Sequence, residues 1–308
     1  MEIYLPIAGM PVNVFLIMGL GALVGVLSGL FGVGGGFLLT PLLLFVGIPP
    51  AVAAASDTNQ IVAASSSGAL AHKRLGNVDM KMGLIYLAGG ILGGTFGAQL
   101  VKFLRGVGNY DLTMKLIYVV MLTLVGGFMF IEGLQTLRGK AAAKKEDAKP
   151  SAFKRFVDSL PFQTEFKTSG VRISILFPIL LGFLVGALAA LLGVGGGFIT
   201  MPAMIYLLGM PTIVAIGTDL FQMVFTTINI TIQQAVTNHT VDIVLAILLF
   251  CGSTIGAQVG ARLSRRFKGE QLRVLLAVIV LSVMVKIVFD LVATPDSLIQ
   301  FVSGGGGH

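Results

Sequence analysis

Tryptophan is absent, cysteine occurs once, histidine three times, and charged side chains make up 11% of 308 residues. Each shortage excludes something. A lone Cys251 cannot form an internal disulfide. So few histidines and cysteines offer no metal-ligand set and no nucleophile–base pair, so neither a metal centre nor an enzyme is expected. No cofactor is implied. Soluble domains carry about 25% charged residues. Here 55% of residues are hydrophobic and mean hydropathy is +0.94, which points to a chain that crosses a bilayer several times. Without tryptophan, any interfacial aromatic belt rests on Tyr4, Tyr86, Tyr110, Tyr118 and Tyr206. The net charge of +7 sits in loops, where it reads as an orientation signal rather than a nucleic-acid surface. Met1–Pro11 has no basic n-region, so no signal peptide is expected.

What the chain does have is glycine, and one arrangement of it twice. Gly32-Val33-Gly34-Gly35-Gly36-Phe37 recurs as Gly193-Val194-Gly195-Gly196-Gly197-Phe198. Each copy lies between apolar runs and is followed by a proline, Pro41 or Pro202. Glycine costs about 1 kcal/mol per residue against alanine inside a helix, so both stretches should break one. In a membrane, irregular backbone survives only where protein or a water-filled cavity covers it. Matching broken helices in two halves are the best sequence pointer to a transporter binding site.

The spans follow in order. Pro11–Phe31 is long enough to cross a membrane. After the first break, Phe37–Val46 is about half a span. Ala51–Leu70 is an unusually polar helix, and Lys81–Phe103 and Leu112–Leu137 are ordinary spans. Gly89, Gly90, Gly93, Gly94 and Gly97 give the first of these a small-residue packing face, which permits a homodimer without requiring one. The pattern then restarts with Val171–Leu192, the second break, Phe198–Leu208, polar Thr212–Thr237, Val241–Leu263 and Leu272–Thr294. Asp57 matches Asp219, Gln60 matches Gln222, Val78-Asp79 matches Val241-Asp242, and Gly97-Ala98-Gln99 matches Gly256-Ala257-Gln258. The expected fold is an all-α polytopic membrane protein of two repeats, each a glycine-broken helix hairpin followed by three transmembrane helices. Its parts are residues 1–137, a basic linker at 138–170, residues 171–296, and a tail at 297–308 expected to be a linker or tag remnant.

Loop charge sets the orientation. The linker, with Lys140, Lys144, Lys145, Lys149, Lys154, Arg155 and Lys167, should be cytoplasmic, as should the loop from Arg262 to Arg273. The loop Asn238-His239-Thr240 has no Lys or Arg and should face out, whereas its counterpart beside Lys73, Arg74 and Lys81 should face in. The repeats are therefore expected to be inverted. Lys102, Arg105 and Lys115 run against this scheme, since it places them outside.

The chemistry follows from the breaks. A helix starting at Phe37 presents free N–H donors and a positive end, and both favour an anion. An inverted copy at Phe198 would aim a second such end at the same spot. The expected substrate contacts are Gly34, Gly35, Gly36, Phe37, Thr40, Gly195, Gly196, Gly197, Phe198 and Thr200, with Ser56, Asp57, Thr58, Asn59, Gln60, Thr218, Asp219 and Gln222 from the polar helices. Against this stands the reading that glycine only allows tight packing, and that a lone Ser or Thr bonds its own helix backbone. Asp57 and Asp219 lie in apolar context, where an ionisable side chain is a functional candidate by default. They are candidate proton carriers, with a structural role as the competing reading. Gln99 and Gln258 are expected to be buried amides, Lys286 and Asp290 a structural ion pair, and Cys251 a packing residue. No G-x-G-x-x-G nucleotide fingerprint fits, since the third glycine and any βαβ context are missing.

Leu30 through Phe37 with Pro41, then Ala55-Ser56-Asp57-Thr58-Asn59, resemble the signature of the TauE/SafE sulfite-exporter family. Leu192 through Phe198 with Pro202, then Gly217-Thr218-Asp219-Leu220, repeat it. The resemblance implies a bacterial inner-membrane secondary transporter that exports a small sulfur-containing anion, such as sulfite or an organosulfonate like sulfoacetate. Proton coupling and alternating access are the expected mechanism, and a passive anion channel or uniporter on the same scaffold is the alternative. One departure stands out: Phe221 occupies the place of Asn59.

Overall fold

The structure is a computed structural model that describes residues 1–31, 36–137, 161–264 and 269–292. Outside them lie Gly34 and Gly35 of the expected site, the linker at 138–160, Arg265, Arg266 and Lys268, and the tail.

The helices are α1 (Val14–Phe31), α2 (Gly36–Phe45), α3 (Pro50–Arg74), α4 (Met80–Val107) and α5 (Tyr110–Leu137) in the first half. The second half has α6 (Leu176–Leu192), α7 (Gly197–Pro202, continued by a π-helical turn Ala203–Leu207), α8 (Thr212–Val236), α9 (Ile243–Ser264) and α10 (Gly269–Val292). Among the described residues four stretches are long and apolar enough to cross a membrane: Met80–Val107, Tyr110–Phe128, Thr212–Val236 and Ile243–Gly260. Val14–Ser28, Gly36–Phe45 and Leu176–Leu192 are shorter apolar helices. The chain is a multi-pass membrane protein.

The fold is not all-α. A two-stranded hairpin precedes each half: β1 (Glu2–Leu5) with β2 (Met10–Asn13), and β3 (Gln163–Phe166) with β4 (Val171–Ser174). Helices expected from Pro11 and Val171 therefore start at Val14 and Leu176, and residues 163–174, divided on sequence between linker and second repeat, form one hairpin. Four-residue strands running straight into an apolar helix leave no separate periodic signal. Their turns close on Gly9 and Gly170, both at positive φ.

The halves are woven together. α1 packs along α9, and α6 packs along α4. Both crossings use glycine against backbone. A Cβ added at Gly89, Gly93 or Gly97 would meet Ile179 O at 2.1 Å, Phe183 O at 1.9 Å or Ala187 O at 2.6 Å. A Cβ at Gly252, Gly256 or Gly260 would meet Met18 O at 2.2 Å, Ala22 O at 2.0 Å or Val26 O at 2.1 Å. The counterpart of Gly97 is thus Gly260, and Gly256 answers to Gly93. The Gly-Ala-Gln match is one helical turn out of register: local identity drew it, whereas packing follows the four-residue glycine step. Gln99 and Gln258 are exposed, not buried, and so is Cys251.

Two aspartates fix the ends of these pairs. Asp79 caps α4 by accepting from Met82 N at 3.0 Å, and its other oxygen accepts from Ser169 N in the β3–β4 turn at 3.0 Å. Asp242 accepts from Leu245 N at 3.2 Å in α9 and from Ile7 N at 2.9 Å in the β1–β2 turn. Each aspartate ties its helix to the hairpin of the other half. The far end of α4 meets the loop before Asp242, where Arg105 Nη1 donates to Asn238 O at 2.8 Å. The two hairpins therefore lie at opposite ends of α4.

The π-helical turn has an arithmetic cause. The second half carries one more residue than the first between its prolines, Pro202 to Pro211 against Pro41 to Pro49. A π turn absorbs a single extra residue inside a helix.

Candidate functional site

The two half-helices meet at their starts. Phe37 and Phe198, each the second residue of its helix, stack with centroids 4.7 Å apart and planes 7° from parallel. Both are buried, as are Gly36, Gly195, Gly196 and Gly197. The second break needs glycine for its conformation: Gly193, Gly195 and Gly196 take φ of 78°, 68° and 87°, a region that other L-residues rarely enter. It also needs glycine for space, since a Cβ at Gly193 would lie 2.4 Å from Ala54 Cα. Each break leans on the opposite polar helix or the opposite break, as Gly36 approaches Val194 O.

Each half holds a buried aspartate whose threonine partner also meets a tyrosine hydroxyl. Asp57 Oδ2 accepts from Thr40 Oγ1 at 2.7 Å and from Thr40 N at 3.2 Å. The Tyr118 hydroxyl lies beside Thr40 and donates to Leu192 O at 2.6 Å, at the end of α6. In the second half the Thr200 hydroxyl lies between Gly196 O and Asp219, and Tyr86 OH donates to it at 3.2 Å. The aspartates are equivalent in the repeat, but their partners are not. Thr40 aligns with Met201, Thr200 aligns with Leu39, and the tyrosines come from α5 and α4. Tyr110 of α5 also donates to Leu191 O, at 2.7 Å.

Tyr86, Tyr110 and Tyr118 are thus buried hydrogen-bonding groups rather than an interfacial belt. Their apolar surroundings in sequence were the available signal, because a buried tyrosine hydroxyl needs a partner. Tyr4, in β1, is exposed.

The remaining polar side chains divide. Thr58 donates to Ala54 O at 2.8 Å, Ser65 to Ile61 O at 2.8 Å and Thr227 to Met223 O at 2.7 Å, all bonding their own helix. Thr218 Oγ1 accepts from Asp79 N at 3.0 Å. Gln222 Nε2 donates to Asp219 Oδ1 at 2.8 Å and its Oε1 accepts from Thr226 at 3.0 Å. Gln60 Nε2 donates to Ser253 at 2.9 Å. Ser253 is a residue that sequence reasoning passed over, since one hydroxyl in an apolar helix carries no pattern. Ser56 Oγ, Asp57 Oδ1 and Gln60 Oε1 are buried without a partner.

A cavity of about 260 Å³ lies against this turn of α3. It is lined by Asn59 and Gln60 with Ile243, Ala246, Ile247 and Phe250 of α9. In the other half Phe221 replaces Asn59, and its ring lies on Gly83, where an added Cβ would approach Phe221 to 2.8 Å. Asn59 is too short to fill the equivalent space.

The whole region is polar without basic side chains. α1, α2, α6 and α8 contain no Lys, Arg or His. Among the described residues no group of three or more His, Cys, Asp or Glu could hold a metal. An ion pair lies on α10, where Lys286 Nζ is 2.7 Å from Asp290 Oδ1.

Residues 17–287 match the family described as sulfite exporter TauE/SafE. A Xylella fastidiosa protein (strain 9a5c) named a probable membrane transporter is 31% identical over 256 residues, covering 82% of this chain and 86% of the relative. The Bacillus subtilis probable membrane transporter YunE is 24% identical over 282 residues, 88% of this chain and 96% of its own length. An Arabidopsis thaliana sulfite exporter TauE/SafE family protein is 50% identical over 54 residues, 18% of this chain and 12% of its own. No solved structure matches the chain.

Proposed function

The chain belongs to the sulfite exporter TauE/SafE family, and from that premise we propose that it is a proton-coupled secondary transporter exporting a small sulfur-containing anion, sulfite or an organosulfonate such as sulfoacetate. The reading places it in a bacterial inner membrane with the linker at 138–170 cytoplasmic. It takes the two halves as inverted repeats, supported by the hairpins lying at opposite ends of α4 and by the loop charges. Arg105, one of the basic residues on the wrong side of the charge rule, is engaged in holding Asn238 O.

The carrying observation is the meeting of two half-helix starts at the Phe37–Phe198 stack, within a buried polar shell that has no cationic side chain. Free N–H groups and the positive end of α2 supply the attraction for an anion that Lys or Arg would supply elsewhere. Parting of the phenyl rings would open the space between the two ends, and movement of one helix bundle or hairpin pair against the other would expose it to each side in turn. A buried carboxylate beside the anion repels it, so protonation and anion occupancy favour each other. A divalent anion moving with one proton carries one net negative charge outward, which an inside-negative potential favours.

Flux of labelled sulfite or sulfoacetate into liposomes tests this, with and without a pH gradient. Accumulation above equilibrium that collapses with an uncoupler is the expected result. Flux that only equilibrates would replace the transporter by a channel or uniporter. Absence of flux for both anions would sink the substrate class.

A further inference from the structure

The repeat supplies an internal control for every residue of the site, and the two halves differ in one consistent way. In the second half the polar turn is closed. Thr218 is held by Asp79 N, Asp219 by Gln222 and Thr200, and Gln222 by Asp219 and Thr226. In the first half the equivalent Ser56, Asp57 and Gln60 each keep a buried polar atom without a partner. These three atoms belong to a single turn of α3, and burial of an unpartnered polar atom costs free energy that a ligand or a proton can recover.

The difference has a sequence cause. Gln60 turns to Ser253, whereas the residue matching Ser253 across the repeat is Gly90, which offers Gln222 no side chain. Gln222 turns back onto its own aspartate instead. Access differs as well. Phe221 fills the space against Gly83, while Asn59 leaves the cavity of about 260 Å³ beside Gln60. That cavity is lined by Ile243, Ala246, Ile247 and Phe250, within the first two turns of α9, so it lies within roughly 12 Å of the helix start.

We propose that coupling runs through the first half alone: Asp57 takes up and releases the transported proton, reached through the Asn59–Gln60 cavity, while Asp219 is a fixed structural counterpart. This rests on the transporter reading above. In the step an O–H bond forms at Asp57 Oδ1 as an O–H bond of a hydronium ion breaks and leaves water, and on release the Asp57 O–H bond breaks and its proton passes back to water as hydronium. The opposite oxygen holds Thr40 by its hydroxyl and its N–H, so the change in charge acts directly on α2, one turn from its start. Few charges interfere. α1, α2 and α6 carry no titratable side chain, α8 carries Asp219, and α9 carries Cys251, which is exposed, and Arg262 near its end. α5 presents Tyr118 beside Thr40, with Tyr110, Asp111 and Lys115 nearer its start and Glu132 nearer its end, and α3 itself ends in His72, Lys73 and Arg74.

The absence of tryptophan makes the test clean. A Leu44→Trp reporter on α2, in the full chain in liposomes, is titrated with pH without substrate. One fluorescence transition is expected. Asp57→Asn should abolish it and Asp219→Asn should keep it. Asn59→Phe, which copies the second half, should slow the response to a pH jump at least tenfold, and Phe221→Asn should not. Should Asp57→Asn fail to fold, Thr40→Val carries the same test, because loss of one charge-assisted hydrogen bond should displace the midpoint by about tenfold in proton concentration. A transition that survives Asp57→Asn, that vanishes with Asp219→Asn alone, or that follows sodium at fixed pH overturns the proposal. Since no substrate is present, an Asp57-dependent transition in a protein that moves neither anion would sink the transport reading, and with it the coupling role, while still marking Asp57 rather than Asp219 as the group that takes up a proton.

Discussion

The two halves share a plan and differ in finish. In both, a hairpin leads to a helix, a glycine break, a half-helix with a proline, and a polar helix bearing an aspartate. Where the plan serves packing, the halves agree closely: Gly21 and Gly25 approach Leu249 O and Ser253 O, while Gly182 and Gly186 approach Tyr86 O and Gly90 O. Where the plan serves chemistry, they part. One aspartate has an unpartnered oxygen and a cavity beside its helix, and the other is hydrogen-bonded on its own helix, where a phenyl ring at Phe221 fills the space against Gly83. Symmetry builds the frame, and departure from it marks which side is free to react.

The sharpest way to test the shared frame is to break both glycine crossings. Gly93→Leu and Gly256→Leu should each prevent recovery of folded protein, since backbone oxygen lies where their Cβ would go; size-exclusion profiles in detergent report this. Gly127→Ala, with nothing within 4 Å of the added carbon, should be neutral. Unequal outcomes at 93 and 256 would show that the crossings are not equivalent. Next in size, Phe37→Ala and Phe198→Ala should each lose about 3–5 kcal/mol, and by equal amounts, because they remove two sides of one stack. Thermal unfolding measures that difference. Below these come the caps: Asp79→Ala should cost about 2 kcal/mol and more than Asp242→Ala, because the Asp79 carboxylate also accepts from the Ser169 hydroxyl, whereas Asp242 accepts from backbone N–H groups. The smallest effect expected is from Ser253→Ala, about 1 kcal/mol, as it frees the Gln60 amide. Gly90→Ser in the same assay asks whether Gln222 can be drawn away from Asp219.

Much of this was legible in the sequence. The glycine stretch located the second break at Gly193–Gly196, its first copy lying at residues 32–35 outside the described ones, and the matched Asp57 and Asp219 located the polar helices, because burial and hydrogen bonding at both restrict residue type. The Lys286–Asp290 pair was legible from its four-residue spacing. The hairpins were not, since their strands are short and merge into apolar helices. The true register of α4 against α9 was hidden by the stronger local resemblance of Gly-Ala-Gln. Nor could sequence tell which aspartate keeps a bare oxygen. That depends on Ser253 facing Gln60 across 193 residues, a pairing that only the folded chain creates.

The glycine crossings bear on how the molecule comes into being. α1 finds its partner in α9 and α6 finds its partner in α4, so neither stretch on either side of residues 138–160 can complete its own interior. The first half must leave synthesis with Gly89, Gly93 and Gly97 still waiting for α6. Assembly is therefore a threading problem, finished only when the second half arrives, and a chain severed between the halves would yield two fragments that are stable together and unstable apart.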